Sequence, residues 1–204
     1  MKKIGIMGGT FNPIHNGHLE MANKAYHQFA LDEIWFMPTK NPPHKEIDGN
    51  TSDEERVEMV SLAIEPYPHF LLSTLELERV GMTYTKDTLE ELTKKYPEYY
   101  FYFIIGSDSL LYIDKWMEPE KLLSIAHLLS APRYPSNPKE DNEKKAFLEE
   151  NFGADIQFIE MEPVVVSSQQ IRNSIKKGED ISSLLPEKVV NYIKENHLYC
   201  INKK

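Results

Sequence analysis

Short apolar runs alternate along this chain with stretches in which apolar residues recur every three or four positions. The first pattern suits strands and the second suits helices with one buried face. Lys3 to Met7, Glu33 to Met37, Tyr99 to Ile105, His127 to Ala131 and Ile156 to Ile159 read as strands, and Phe70 to Leu77 as an extended segment. Tyr99 to Ile105, aromatic and β-branched throughout, belongs at the centre of the sheet. Between them the spacing predicts helices. One begins near His15 to His18 and carries Leu19, Ala22, Ala25, Tyr26 and Phe29. A second opens on the capping box Ser52 to Glu55, with Val57, Val60 and Ile64 inward, and ends at Pro66 and Pro68. A third is capped by Asp87 and bears Leu89, Leu92 and Tyr96. A fourth runs from Glu143 to Phe152 and closes at Gly153, a fifth is capped by Ser168 with Ile171 and Ile175 buried, and a last amphipathic one spans Pro186 to about Asn196. Strand and helix alternating to the end predict an α/β fold.

The chemistry gathers first at the N-terminus. The strand at Lys3 to Met7 runs into Gly8 and Gly9, where the backbone can bend freely and a bulky anion can approach it. Pro13 restrains Asn12 to extended angles and delays the helix. Strand, glycine turn and helix together aim unpaired N–H groups and the positive end of a dipole at a phosphate. His15 and His18 stand three apart at that mouth and share a face of the first turn. Glycine pairs also mark ordinary turns, and two histidines can cap a helix or ligate a metal. Two ligands do not close a tetrahedral zinc site, and no second Cys/His cluster follows, so no protein-held metal is expected.

Composition narrows the classes. The chain of 204 residues is long enough for one domain with a full core and short for two. Its net charge of -9 argues against a nucleic-acid surface. The single cysteine, Cys200, excludes an internal disulfide and suits a reducing cytoplasm. No stretch has the length of a membrane span and the N-terminus lacks a signal-peptide core, so a cytoplasmic setting is expected.

Four more stretches carry candidate ligand groups, each with a plainer alternative. Thr39 to Lys45, with His44 and Lys45, follows the second strand at the end where ligands gather in α/β sheets, or is a solvated loop. Asp108, in the turn Gly106-Ser107-Asp108-Ser109, can take ribose hydroxyls or cap a helix; Trp116 can stack on a ring or pack in the core. Arg133, beyond the fifth strand, is a candidate phosphate or nucleotide contact. Ser168 and Arg172 open a second helix N-terminus suited to an anion, or are a cap and a solvated helix residue.

Gly8-Gly9-Thr10-Phe11-Asn12-Pro13-Ile14-His15-Asn16-Gly17-His18 resembles the G-x-F-x-P-x-H-x-G-H signature of the nucleotidyltransferase superfamily, with Asn12 where many members have Asp. Pro43-His44-Lys45 resembles the P-H-K element of one branch, and Ser167-Ser168-Gln169-Gln170-Ile171-Arg172 resembles S-S-T-x-I-R, with Gln169 in place of threonine. With the central G-S-D turn and the tryptophan, these elements follow the order found in bacterial nicotinate mononucleotide adenylyltransferases. The resemblance implies a Rossmann-like doubly wound parallel sheet, three-layer α/β/α, in one domain: a core over about 1–165 and a small helical part over about 166–204 that completes the ATP site. It also implies transfer of AMP from ATP to nicotinate mononucleotide, yielding deamido-NAD and pyrophosphate. The nearest alternatives are a pantetheine-phosphate adenylyltransferase, from which Trp116 and P-H-K separate it, and a non-catalytic nucleotide-binding domain.

Carried onto this sequence, the resemblance assigns catalysis to His15, His18 and Arg172. ATP falls to Gly8, Gly9, Thr10, Phe11, His15, His18, Ser168, Ile171 and Arg172. Nicotinate mononucleotide falls to His44, Lys45, Thr85, Gly106, Asp108, Trp116 and Arg133. Mg²⁺ is expected to arrive with ATP, held by phosphate and water. Membrane and nucleic-acid partners are not expected, and a homo-oligomer is left open. The acceptor phosphate, with a second pKa near ~6, is already a dianion at neutral pH and requires no general base. What remains is to hold two anions in line and neutralise the departing pyrophosphate.

Overall fold

Six strands form one wholly parallel sheet. They are β1 (Lys2–Gly9), β2 (Glu33–Pro38), β3 (Phe70–Leu72), β4 (Tyr99–Gly106), β5 (His127–Ala131) and β6 (Asp155–Phe158). The computed structural model describes residues 1–40, 51–135 and 137–200. The spatial order β3-β2-β1-β4-β5-β6 is that of a doubly wound Rossmann sheet. β1 lies between β2 and β4, with Ile6 opposite Trp35 on one side and Phe103 on the other.

Alternate strand residues feed two separate cores, as the two-residue period of a strand dictates. On one face Met7, Ile34, Phe36, Ile104 and Leu129 pack under α1 (Asn16–Gln28), α2 (Asp53–Ile64), α7 (Ser168–Lys177) and α8 (Glu187–Glu195). On the other, Ile4, Ile6, Met37, Phe101, Phe103, Ile105 and Leu128 pack under α3 (Thr85–Lys95), α5 (Pro119–Ile125) and α6 (Pro138–Phe152). A four-residue helix, α4 (Ser107–Leu110), leaves the end of β4 directly. The expected three-layer α/β/α architecture is therefore present. Burial on both faces explains why the strands read as continuous apolar runs. Among the described residues no helix is long and apolar enough to cross a membrane.

Several boundaries differ from those the sequence predicts. The third strand pairs only over Phe70–Leu72, because its edge position gives it β2 alone as a partner; the chain then turns through Leu75–Glu78. α3 begins at Thr85 with Tyr84 before it, so Asp87 lies in the first turn instead of capping. Asn137 caps α6, accepting the Glu140 N–H at 3.4 Å, so that helix starts five residues ahead of the expected Glu143. Along α2 the buried positions are Arg56, Met59, Val60, Ala63 and Ile64, while Val57 is only half-buried. A charged residue thus heads the inward face.

Candidate active site

In an open parallel sheet of this order, the crevice forms where the winding reverses, beyond the carboxyl ends of β1 and β4. Gly8 and Gly9 end β1, and Gly106 ends β4. A cleft of about 410 Å³ opens at that point, within the ~300–1,000 Å³ range of small-ligand sites. One wall consists of Gly8 to Phe11, His15 and His18; the opposite wall consists of Thr85, Gly106, Asp108, Trp116 and Arg133. Ser167, Ser168 and Gln169, at the tip of α7, border the same space. The two helix N-termini, at Asn16 and Ser168, therefore converge on one cavity.

The convergence has a packing cause. Val164 bridges to Arg133 just past β5, and the Tyr134 N–H donates to the Val164 carbonyl at 3.1 Å. The chain is thereby carried along the sheet's end before α7 starts. Gly17, in the first turn of α1, lies against this segment: a Cβ there would meet Val164 Cγ1 at 2.5 Å and Val166 Cγ1 at 3.0 Å. The glycine between the histidines is what lets the two tips approach.

The histidines are oriented by the backbone. His15 is the N-cap of α1, and its own N–H donates to His18 Nδ1 at 3.2 Å. With Nδ1 accepting, the neutral His18 ring carries its proton on Nε2 and can donate from there. The two rings stack with centroids 3.7 Å apart, and Phe11 meets His18 edge-on at 5.2 Å. His15 is 1% exposed, and its pKa is lowered to about 3, first by burial and then by the nearby Arg133 charge. It is a neutral ring at any physiological pH.

At the α7 tip the order of the serines corrects the expectation. Ser167 is the cap, its hydroxyl accepting the Gln170 N–H at 3.2 Å while Gln170 Oε1 accepts the Ser167 N–H at 2.9 Å. Ser168 is instead the first helical residue and donates its hydroxyl to the Pro13 carbonyl at 2.9 Å. The capping-box pattern, Ser followed three residues later by Gln, was present in the sequence.

Two assigned residues lie away from the cleft surface. Ile171 is fully buried and belongs to the core beneath α7. Arg172 is 2% exposed and points at the loop, donating to the Asn12 carbonyl at 2.8 Å and to Gln169 Oε1. Its guanidinium takes a backbone acceptor because the loop passes directly over the first turn of α7. His44 and Lys45 lie outside the described residues. Trp116 borders the cleft and also packs edge-on to Phe103 at 6.5 Å. Gly106 takes the N-cap position of α4, so Asp108 is not the cap; its carboxylate is 3.9 Å from Arg133 Nε.

Glu76 carries no motif or spacing that marks it in the sequence. It is 6% exposed and lines the cleft, with Oε1 accepting the Thr88 hydroxyl at 2.7 Å. Burial pushes its carboxyl above the usual range, against hydroxyl bonds from Thr88 and Thr39 and the charge of Arg79. Thr83, Tyr84 and Lys86 border the cleft beside it. Among the described residues, no three His, Cys, Asp or Glu side chains are grouped to hold a metal.

Residues 6–174 match the model of the cytidylyltransferase-like family. A protein of Lachnoclostridium phytofermentans named as a probable nicotinate-nucleotide adenylyltransferase is 44% identical over 98% of this chain and 100% of its own length. The nicotinate-nucleotide adenylyltransferase of Bacillus subtilis is 43% identical over 98% of this chain and 99% of its own. Among solved structures, the nicotinic acid mononucleotide adenylyltransferase of Plasmodium falciparum complexed with NaAD superposes with a TM-score of 0.82 at 25% identity, over 98% of both chains. With the doubly wound sheet, the stacked histidine pair and full-length likeness in agreement, this chain belongs to the cytidylyltransferase-like family, among its nicotinate-nucleotide adenylyltransferases.

Proposed function

We propose that the chain transfers AMP from ATP to the 5′-phosphate of nicotinate mononucleotide, giving deamido-NAD and pyrophosphate by direct in-line attack. The observation that carries this is the single cleft shared by the glycine loop, both helix tips and the wall around Trp116. Two phosphorylated ligands can meet there end to end. The triphosphate would lie along Gly8 to Phe11 and the α7 tip, where amides and two dipole ends favour negative charge. The acceptor's pyridine ring would stack on Trp116 and its ribose would face Asp108, with Thr85, Gly106 and Arg133 framing the phosphate end.

The acceptor phosphate is mostly dianionic at neutral pH, so no residue has to remove a proton from it. His18 Nε2–H is the donor we assign to the transferred α-phosphoryl oxygens, where charge builds as the leaving group departs. His15 works as a neutral ring that holds His18 by stacking and supplies the N–H that sets its tautomer. Arg172 serves the site through its grip on the Asn12 carbonyl, and with Ser168 it is proposed for the β and γ phosphates. His44 and Lys45 remain proposed as further cationic groups.

A Mg²⁺ arriving with ATP is part of the same proposal. The ion prefers oxygens and retains water, and with no three acidic or imidazole groups clustered among the described residues, its ligands would be triphosphate oxygens. The residues that hold the triphosphate would then hold the ion indirectly, and when bound it would offset charge on pyrophosphate. We place the reaction in the reducing cytoplasm, which the single, exposed Cys200 suits. The test is pyrophosphate release from ATP with nicotinate mononucleotide, nicotinamide mononucleotide or phosphopantetheine as acceptor. Release with the first above the other two is expected; release only with phosphopantetheine, or with none, would overturn the reading.

A further inference from the structure

Arg56 lies on the inward face of α2, and its side chain is wholly buried. Removing a guanidinium from water is costly unless its donors find acceptors. It finds two: Asp53 Oδ1 at 2.6 Å, one turn back, and the main-chain carbonyl of Thr10 at 2.6 Å, 46 residues away in the glycine loop. Asp53 is itself a third exposed and could pair with an arginine turned outward. The inward direction is therefore set by the loop.

That bond has a consequence for the neighbouring amide. In a trans peptide the C=O and N–H point in opposite directions. The Gly9 carbonyl is held by the Thr39 N–H at 2.9 Å and the Thr10 carbonyl by Arg56. Both oxygens are thus drawn toward β2 and α2, and the next two N–H groups, of Thr10 and Phe11, face the other way. Thr10 and Phe11 both border the cleft. Successive N–H groups presented in this way form a concavity for an anion. Phe11 also sits at φ +45°, a left-handed conformation that is strained for a non-glycine residue and persists only when its surroundings enforce it. Arg56 holds the carbonyl before Phe11, and Arg172 holds the carbonyl after it.

We propose that Arg56 is a positioning residue for the ATP half of the reaction, gripping the Thr10 carbonyl so that the loop's amides face the triphosphate. It touches neither substrate, and the proposal rests on the adenylyl-transfer reading above. The alternative is that Arg56 only fastens α2 to the sheet.

Steady-state kinetics of Arg56→Met and Arg56→Lys, with calorimetric binding of ATP in the absence of acceptor, separate the two. Methionine keeps the apolar stem and removes the donors, while lysine keeps one donor and the charge. Arg56→Met should raise KM and Kd for ATP at least about tenfold, the scale of one charge-assisted hydrogen bond, with KM for nicotinate mononucleotide changed less than about twofold. Arg56→Lys should recover part of the loss. Equal losses for both substrates, or a lowered melting temperature with unchanged ATP affinity, would overturn the proposal. Should neither variant fold, the wild-type protein decides: the Phe11 amide resonance should shift on adding ATP and not on adding nicotinate mononucleotide, and an unmoved resonance refutes it. The calorimetry reads ATP affinity whatever the acceptor, so failure of the wild type to release pyrophosphate would count against the reaction and not against Arg56.

Discussion

His18 has two nitrogens with two separate tasks, and substitutions can remove them one at a time. Nδ1 accepts the His15 N–H at 3.2 Å, so the neutral ring bears its proton on Nε2, the nitrogen we assign to the α-phosphoryl oxygens. Asparagine places an acceptor near the position of Nδ1 but ends short of Nε2; glutamine reaches Nε2 with an N–H but forfeits the Nδ1 position. Losing one donor to a developing oxyanion costs ~2.7–4 kcal/mol, or ~10²–10³ in kcat. Losing a helix cap costs about 1 kcal/mol of stability and no chemistry directly. His18→Asn should therefore melt within about 1 kcal/mol of wild type and lose ~10²–10³ in kcat. His18→Gln should lose the cap bond yet keep kcat within about tenfold, because the donor is retained. His18→Ala should show both losses together. Pyrophosphate release in single turnover, with saturating ATP and acceptor, isolates the chemical step from product release. If His18→Asn turns over like wild type, or if the asparagine and glutamine variants are equally impaired, the assigned tautomer is wrong.

Other consequences follow from the same geometry. Trp116→Ala should raise KM for the acceptor about tenfold, on the ~1–3 kcal/mol scale of base–aromatic stacking, and leave KM for ATP unchanged, as initial rates with each substrate varied in turn would show. Gly17→Ala forces a Cβ to 2.5 Å from Val164 Cγ1 and should destabilise the fold by ~1–3 kcal/mol in urea melts, with ATP affinity falling as the tip of α7 is displaced. For Glu76, whose folded carboxyl is raised by burial, the favourable contribution is complete below the unfolded value and is lost as pH rises through the folded one. Glu76→Gln removes that dependence, so its stability relative to wild type should climb from pH 4.5 upward, measured by urea midpoints across the range; a constant difference would show that the carboxyl is not raised.

Much of the fold could be read locally. The β1-loop-α1 opening, the central place of β4 and the turn at Gly106 all rest on signals within a few residues: apolar period, glycine freedom, proline restriction and capping side chains. These are properties of the backbone and its near neighbours, and tertiary packing left them in place. The capping box at Ser52 to Glu55 is an example, with both reciprocal bonds formed. The sequence alone also placed His15, His18, Asp108, Trp116 and Ser168 in motifs that the fold brings to one cleft.

Where the long polar side chains point was decided only in three dimensions. Arg56 and Arg172 each stand among other charged or polar residues on their helices, and nothing within a turn of either tells whether it faces water or the core. Each turns inward because the glycine loop offers it a carbonyl, from Thr10 in one case and Asn12 in the other. Glu76 reads as the charged face of a strand, yet the chain turns early and its carboxylate meets the Thr88 hydroxyl across the cleft wall. The same holds for the neighbouring serines, where packing against Pro13 gives Ser168 to the loop and leaves the cap to Ser167. A residue's type limits the bonds it can make, but a partner more than 40 residues away becomes a partner only after the sheet has assembled.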